Sequence, residues 1–479
     1  MKADPKDSHT PFDPATIRRL LDLHEGKIYL NTVFEGGAFK YLENCSAEFP
    51  VLILDVRSLN RVPVLFRWKE TVMNETFPSI DEALGLFQPI DIYINHLYSS
   101  KPFDEWPSRL ESLSRRIDLH LVVHDFFSIC PSVYLLNHQG EYCDIPDAGI
   151  CKGCIAGMQQ SEKAASLARA FMHQYQPILE SGGISAWHER WGSIIRLMKT
   201  VTVPSENTSG IFLRKYDDIA RDKIRVVPHH LPHLGNDSIV IHQHAGSAVL
   251  EIFLLGNISD HKGARLLDDL LNLTAEKELP FRFNILGTFN RLSKHRDDPH
   301  LRYHGSYGHE DLMERLHEKH VDVFLFPSIW PETFSFVIHD MKATGLPIIA
   351  TDIGAHADAL REYKDATLIK VLTAEAILET LTEHYRTHLS RLSSKGIIKN
   401  DGQNVNAAWQ ELMSGEHVRS ALQEIRRSHT LERNRHDKQY VTGNKPGKTW
   451  HSWKNAVRQM MHSQAKWFKK LAASLGNKF

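Results

Sequence analysis

The chain has no long apolar run, little cysteine and almost no net charge, and each shortage excludes something. No stretch of the 479 residues approaches the roughly 20 apolar residues that a bilayer-spanning helix needs, so no transmembrane segment is expected. The start, MKADPKDSHTPFDP, is polar and broken by prolines, unlike a secretory signal. Five cysteines are few for this length, and four of them cluster, which suits a reducing, cytoplasmic setting better than a disulfide scaffold. A formal net charge of −1 offers no basic surface, so no nucleic-acid partner is expected. Self-similarity at a period of 20–50 residues, the mark of a solenoid, is also missing.

What is present is a chain long enough for two or three domains with sizeable cores. After a lead over residues 1–26, short apolar runs recur at Lys27–Phe34, Val51–Val56, Pro63–Trp68, Asp91–Leu97 and Leu119–Asp125. Helical patterns such as Ser79–Phe87 and Glu105–Ile117 alternate with them. Alternation of this kind predicts an α/β fold, a parallel sheet with helices on both faces. Gly36 and Gly37 follow the first strand, where a missing Cβ lets backbone approach a ligand, although a plain tight turn would also use them. His96 and His124 both fall where a strand ends. A lone histidine there is usually structural; two at one sheet edge point to a cleft. The first domain is expected over 27–240. Five histidines over 229–246 lack metal-ligand spacing and read as part of a linker. A second domain is expected over 247–390, opening with VLEIFLLGNISDHKG.

Cys130, Cys143, Cys151 and Cys154 lie in an insertion over about 126–160 with little predicted regular structure. Twelve residues separate the first pair and seven the next, and Cys-Lys-Gly-Cys closes the set. Four thiolates at such spacing suit one tetrahedral structural zinc, with no open position for catalysis. Four buried or free thiols are the alternative.

The most informative stretch runs from Val321 to Asp358. A strand over Val321–Phe326 is ended by Pro327, and the loop Ser328–Thr333 carries one carboxylate, Glu332. A helix is predicted from about Phe334 to Thr344, stopped by Gly345 and Pro347. A strand over Leu346–Ala350 follows. In parallel sheets ligands sit at the carboxyl ends of strands, and unpaired N–H groups at a helix start favour an anion. With Glu332 before the helix and Asp340 on it, the unit suits a diphosphate held between a sugar and a ribose. An ordinary βαβ unit with surface acids fits the residues alone equally well.

This stretch resembles the donor-site motif of retaining glycosyltransferases of family 4, which have the GT-B fold. Pro327, Ser328, Glu332, Phe334, Ser335, Asp340, Gly345 and Pro347 match it. Asp340 stands where the second carboxylate is usually Glu, and Ser335 where the small residue is usually Gly. Lys262-Gly263 matches a family Lys-Gly pair, while Asn257 stands where Arg is usual. The resemblance covers about Lys27 to Leu389. It implies two Rossmann-like domains facing a cleft, and transfer of a sugar, with retention, from a nucleoside-diphosphate sugar to a glycan or lipid-linked glycan in bacterial surface polysaccharide synthesis. It implies that Glu332 holds the sugar hydroxyls, Asp340 the ribose, and Lys262 the diphosphate. The helix start at Thr333, Phe334, Ser335 and Phe336 adds to the donor site, with Asn257 and the Gly36-Gly37 loop facing it. His124 orients the sugar from the first domain. The acceptor attacks on the leaving-group face and the diphosphate oxygen takes its proton, so no protein nucleophile is required. With no Asp-x-Asp pair, no divalent cofactor is expected in catalysis. A comparable cysteine-bearing insertion occurs in a subset of these enzymes. Two other classes fit the residues. A nucleotide-sugar epimerase would act without an acceptor. A non-catalytic relative would bind a sugar or partner, a reading kept open by Asn257 and Asp340.

Residues 391–444 read as a helical return segment. From 445 to 479 there are eight Lys/Arg and no acid, with Trp450, Trp453 and Phe468 on one helical face. A basic amphipathic tail of this kind suits an anionic membrane surface, so peripheral contact with the inner face of the cell membrane is expected.

Overall fold

The computed structural model describes residues 13–394, apart from 98–102, 165, 232–233, 235–248 and 309–310. The basic tail over 445–479, and the return segment beyond Ser394, lie outside the described residues.

Two sheets make up the fold. The first contains β1 (Lys27–Asn31), β2 (Val51–Asp55), β3 (Asn60–Trp68), β4 (Thr71–Ser79), β5 (Asp91–Ile94), β6 (Asp118–Val122), β7 (Thr200–Val203) and β8 (Ile224–Val226). Its order is β4-β3-β2-β1-β5-β6-β7-β8. The second contains β9 (Leu250–Ile258), β10 (Phe281–Phe289), β11 (Leu301–Gly305), β12 (Val323–Phe326), β13 (Ile348–Thr351) and β14 (Ala366–Ile369), in the order β11-β10-β9-β12-β13-β14. Every pairing in the second sheet is parallel. Numbered within the domain, this order is 3-2-1-4-5-6, the doubly wound Rossmann arrangement, whose ligand crevice opens where the winding reverses. That point lies between β9 and β12. In the first sheet the reversal lies between β1 and β5. Two Rossmann-like domains of this kind constitute the GT-B architecture.

The central strands β2, β12 and β13 are buried along their whole length because helices cover both faces. Alternate residues of β9 serve opposite sides. Leu250, Ile252 and Leu254 pack with the helices Ala264–Glu276 and Ala374–Ser394, whereas Phe253 and Leu255 join Ile338 and Met341 of the helix Phe336–Ala343.

Two local features depart from expectation. The run at Pro63–Trp68 is not a parallel strand: β3 and β4 form an antiparallel hairpin with Trp68 opposite Thr71. Its turn places Lys69 at φ 52°. β4 is largely exposed on both faces, so it carries no apolar alternation to read. The cysteine insertion, expected to be irregular, contains the helix Ala148–Met158. Among the described residues, no helix is long and apolar enough to cross a membrane.

Candidate active site

A cleft of about 570 Å³ is lined by residues of both domains, a size in the range of small-molecule sites. From the second domain come the carboxyl ends of three strands: Gly256 and Asn257 on β9, Gly287 and Thr288 on β10, and Ser306 and Tyr307 just past β11. Lys262, Glu332, Phe334, Ser335, Phe336 and Val337 complete that wall. The first domain contributes Glu35, Gly36, Gly37 and the side chains of Phe39, Lys40 and Glu43.

Close backbone contact builds the second-domain wall. Gly263, at φ +85°, sits so near the loop after β12 that a Cβ would lie 2.0 Å from the Pro327 oxygen. Gly354, at φ +67°, leaves room for Pro331, which a Cβ would approach to 2.4 Å. The loop Pro327–Ser335 is thus pinched between two glycine turns. Ala355 N–H donates to the Glu332 carbonyl at 2.8 Å and Ile329 N–H to the His261 carbonyl at 3.1 Å. The outcome is a Glu332 side chain only 2% exposed, with Oε1 3.3 Å from Lys262 Nζ and accepting from Ser328 Oγ at 3.3 Å. Beneath it, the Thr351 hydroxyl donates to the Ser328 carbonyl at 2.5 Å and lies 3.0 Å from His356 Nε2. Burial holds the His356 imidazole down, to about 4, so that ring is neutral.

The helix predicted from Phe334 begins two residues later. Ser335 is its N-cap, and its Oγ accepts from Ile338 N–H at 3.4 Å. A serine at this place is a cap rather than a substitute glycine. Asn257, in the place of an expected arginine, accepts from Thr288 Oγ1 at 2.8 Å.

On the first-domain side, Gly36 has φ +71° and opens the helix Gly36–Glu48, whose N-cap Glu35 makes no side-chain cap bond. A Cβ on Gly36 would meet nothing within 4 Å, so space does not demand glycine there; the backbone angle does.

Four expected site residues, His124, Thr333, Asp340 and His96, are not part of this lining. His124 is not on the cleft wall. Its Nε2 lies 2.6 Å from Asn95 Oδ1, and Asn95 Nδ2 donates to Asn31 Oδ1 at 2.9 Å, so His124 carries its proton on Nε2. Burial, then His229 and His96, hold its pKa well below the ordinary value. Its carbonyl accepts from Thr333 Oγ1 at 2.6 Å, and Thr208 Oγ1 donates to the Thr333 carbonyl at 3.2 Å. Thr333 and His124 therefore join the two domains. Asp340 is wholly buried and off the wall; Tyr307, whose hydroxyl is pushed up by burial and by Asp340, is on it. His96 Nε2 contacts Asp125 Oδ2 at 2.8 Å.

Sequence reading missed Lys40, Tyr307 and His229. Tyr307 had a signal, since it follows a strand at its carboxyl end. His229, read as linker, is buried between the domains and packs against Tyr41, His124 and Phe334 with ring centroids 4.7, 5.4 and 4.7 Å away. Only tertiary structure reveals that place.

The four clustered cysteines pack against the first-domain core, Cys151 and Cys154 one turn apart on the helix Ala148–Met158. Burial pushes the Cys130 thiol up to about 12 and Cys143 to about 11, and each of these sulfurs is within electrostatic reach of Cys154. Among the described residues, no group of three or more His, Cys, Asp or Glu stands in metal-holding geometry. The expected zinc set is therefore gathered but not arranged.

Residues 250–386 match the family described as Glycosyl transferases group 1. The chain carries a glycosyltransferase domain. Its match spans β9 to the helix Ala374–Ser394 and includes Lys262, Glu332, Ser335 and Asp340, and the enzyme class follows from it. Among curated proteins, none matches the chain. Among solved structures, it is similar to the catalytic domain of starch synthase IV from Arabidopsis thaliana, bound to ADP and acarbose, at 12% identity and a TM-score of 0.44, over 85% of this chain and 99% of that one. It is also similar to Alr3699/HepE of Anabaena, in complex with UDP and glucose, at 11% identity and a TM-score of 0.43, over 81% of this chain and 98% of that one. Sucrose-phosphate synthase from Thermosynechococcus elongatus is similar at 13% identity and a TM-score of 0.42, over 76% and 77% of the respective chains. The strand order, rather than these likenesses, carries the fold of the glycosyltransferase.

Proposed function

We propose that this glycosyltransferase moves a sugar, with retention, from a nucleoside-diphosphate sugar to a glycan or lipid-linked glycan in bacterial surface polysaccharide synthesis. The observation that carries the reading is the Lys262–Glu332 pair, 3.3 Å apart at the carboxyl ends of the second sheet. Departure of a nucleoside diphosphate needs charge stabilisation in a site that excludes water. Lys262 supplies a point charge to it, and the start of the helix Phe336–Ala343 supplies oriented N–H groups. Glu332, fixed from beneath by Ser328, accepts from sugar hydroxyls. Since Asp340 is buried off the wall, we assign the ribose side of the cleft to Tyr307. His124, with its tautomer set by Asn95, holds the domains together through Thr333. The test is a thermal-shift panel of nucleoside diphosphates, followed by incubation of the matching nucleotide-sugar with and without a glycan acceptor. Stabilisation by one diphosphate and acceptor-dependent release of it, with the donor's anomeric configuration kept, is expected. Conversion of the nucleotide-sugar without acceptor would make the protein an epimerase, and no response to any diphosphate would leave a non-catalytic relative.

A structural zinc on Cys130, Cys143, Cys151 and Cys154 is also proposed. Its support is the gathering of four thiols under one core, with two on a single helical turn. Side-chain rotation would be needed to bring them onto one ion. About one zinc per chain is expected in freshly purified protein by elemental analysis; metal-free protein with four titratable thiols would show a packed cluster instead.

A further inference from the structure

The cleft wall carries two cations and three carboxylates, and one of the cations is only loosely paired. Glu332 is taken by Lys262 at 3.3 Å. Glu43 is taken by Arg67, whose Nη1 lies 3.0 Å from its Oε1. Lys40 reaches the other oxygen of Glu43 only at 4.0 Å, one helical turn away, with its side chain 30% exposed. A pair at that separation and exposure is weak and gives up its lysine readily. Glu35, the remaining acid, makes no cap bond to the helix Gly36–Glu48.

A nucleoside diphosphate brings more than one negative charge into this wall, beside carboxylates that already hold Lys262 and Arg67. We propose that Lys40, from the first domain, is a second donor-binding cation and contacts the diphosphate held by the second domain. Lys262 and Lys40 lie on different domains, so the ligand charge draws the two walls together. Arg67, by holding Glu43, keeps that carboxylate from competing for Lys40. The site this lysine completes is the donor site proposed above, and the inference rests on that reading.

The test uses full-length protein and the nucleoside diphosphate that binds best in the panel, with the corresponding nucleoside as a phosphate-free control. Lys40→Gln is expected to weaken diphosphate binding about 10-fold, the size of one charged hydrogen bond, and to leave nucleoside binding within twofold. Lys40→Arg is expected to keep most of the affinity, and the salt dependence of diphosphate binding should flatten in Lys40→Gln. Its partly exposed position predicts an unchanged melting temperature, which separates lost contact from lost fold. Lys40→Gln that binds the diphosphate like wild type, while Lys262→Ala does not, overturns this inference and leaves the donor site standing. Wild-type protein that binds no diphosphate overturns the donor site itself.

Discussion

Glu332→Gln is expected to lower kcat/KM for sugar transfer about 100-fold, because charged hydrogen bonds contribute roughly 1.5–3 kcal/mol each and Gln keeps shape without charge. The side chain is 2% exposed and tied to Lys262 and Ser328. Gln can accept from Ser328 through its carbonyl but cannot neutralise Lys262. Released, that lysine should hold the diphosphate at least as well, so donor binding should persist while turnover falls. Lys262→Ala should behave oppositely. Donor affinity drops, and the fold loses about 1–3 kcal/mol because the buried Glu332 side chain loses its cationic partner. The pair of variants, measured for donor affinity and for turnover separately, distinguishes the roles. Near-normal turnover in Glu332→Gln would remove Glu332 from the chemistry.

Legibility in the sequence follows locality. The unit from β12 to β13 was readable because a strand, a proline stop, a capped helix and a Gly-x-Pro break are all written in consecutive residues. Glu332 and Lys262 were singled out for the same reason: each sits at a strand-to-helix junction. Their pairing at 3.3 Å, across residues far apart in the chain, was not written there. Misplacements have the same origin. Asp340 lies at the expected position along its helix, but depth is set by what packs over that helix, and it is wholly buried. His124 ends β6 as expected, yet the neighbours that take it off the cleft wall, Asn95 and Thr333, come from another strand and another domain. β4 was invisible because an edge strand with both faces wet has no hydrophobic period.

Gly263→Ala should be among the most damaging single-methyl changes in the second domain's cleft, and the reason joins fold to function. At φ +85° an alanine is strained by about 1–2 kcal/mol. Its Cβ would also stand 2.0 Å from the Pro327 oxygen, a contact with backbone rather than with a side chain that can turn away. Overpacking of that sort costs typically 1–3 kcal/mol more. Urea unfolding should therefore show a loss of about 2–5 kcal/mol, against a gain of up to about 1 kcal/mol for Gly153→Ala, where a Cβ meets nothing within 4 Å on the helix Ala148–Met158 and alanine is the better helix former. What relaxes to relieve the clash is the loop leaving β12. That loop carries Glu332, and the displaced residue is the immediate neighbour of Lys262. Separation of the two charged groups should lower donor affinity under conditions where the variant is still folded. If Gly263→Ala unfolds at the same urea concentration as Gly153→Ala and binds donor like wild type, the two loops do not press on each other, and the Lys262–Glu332 distance is not set by their backbones. A loss of stability with full donor affinity would place the strain in the turn alone. The expected result, loss of both together, follows from one backbone contact that fixes the fold of the crevice and the spacing of its charges.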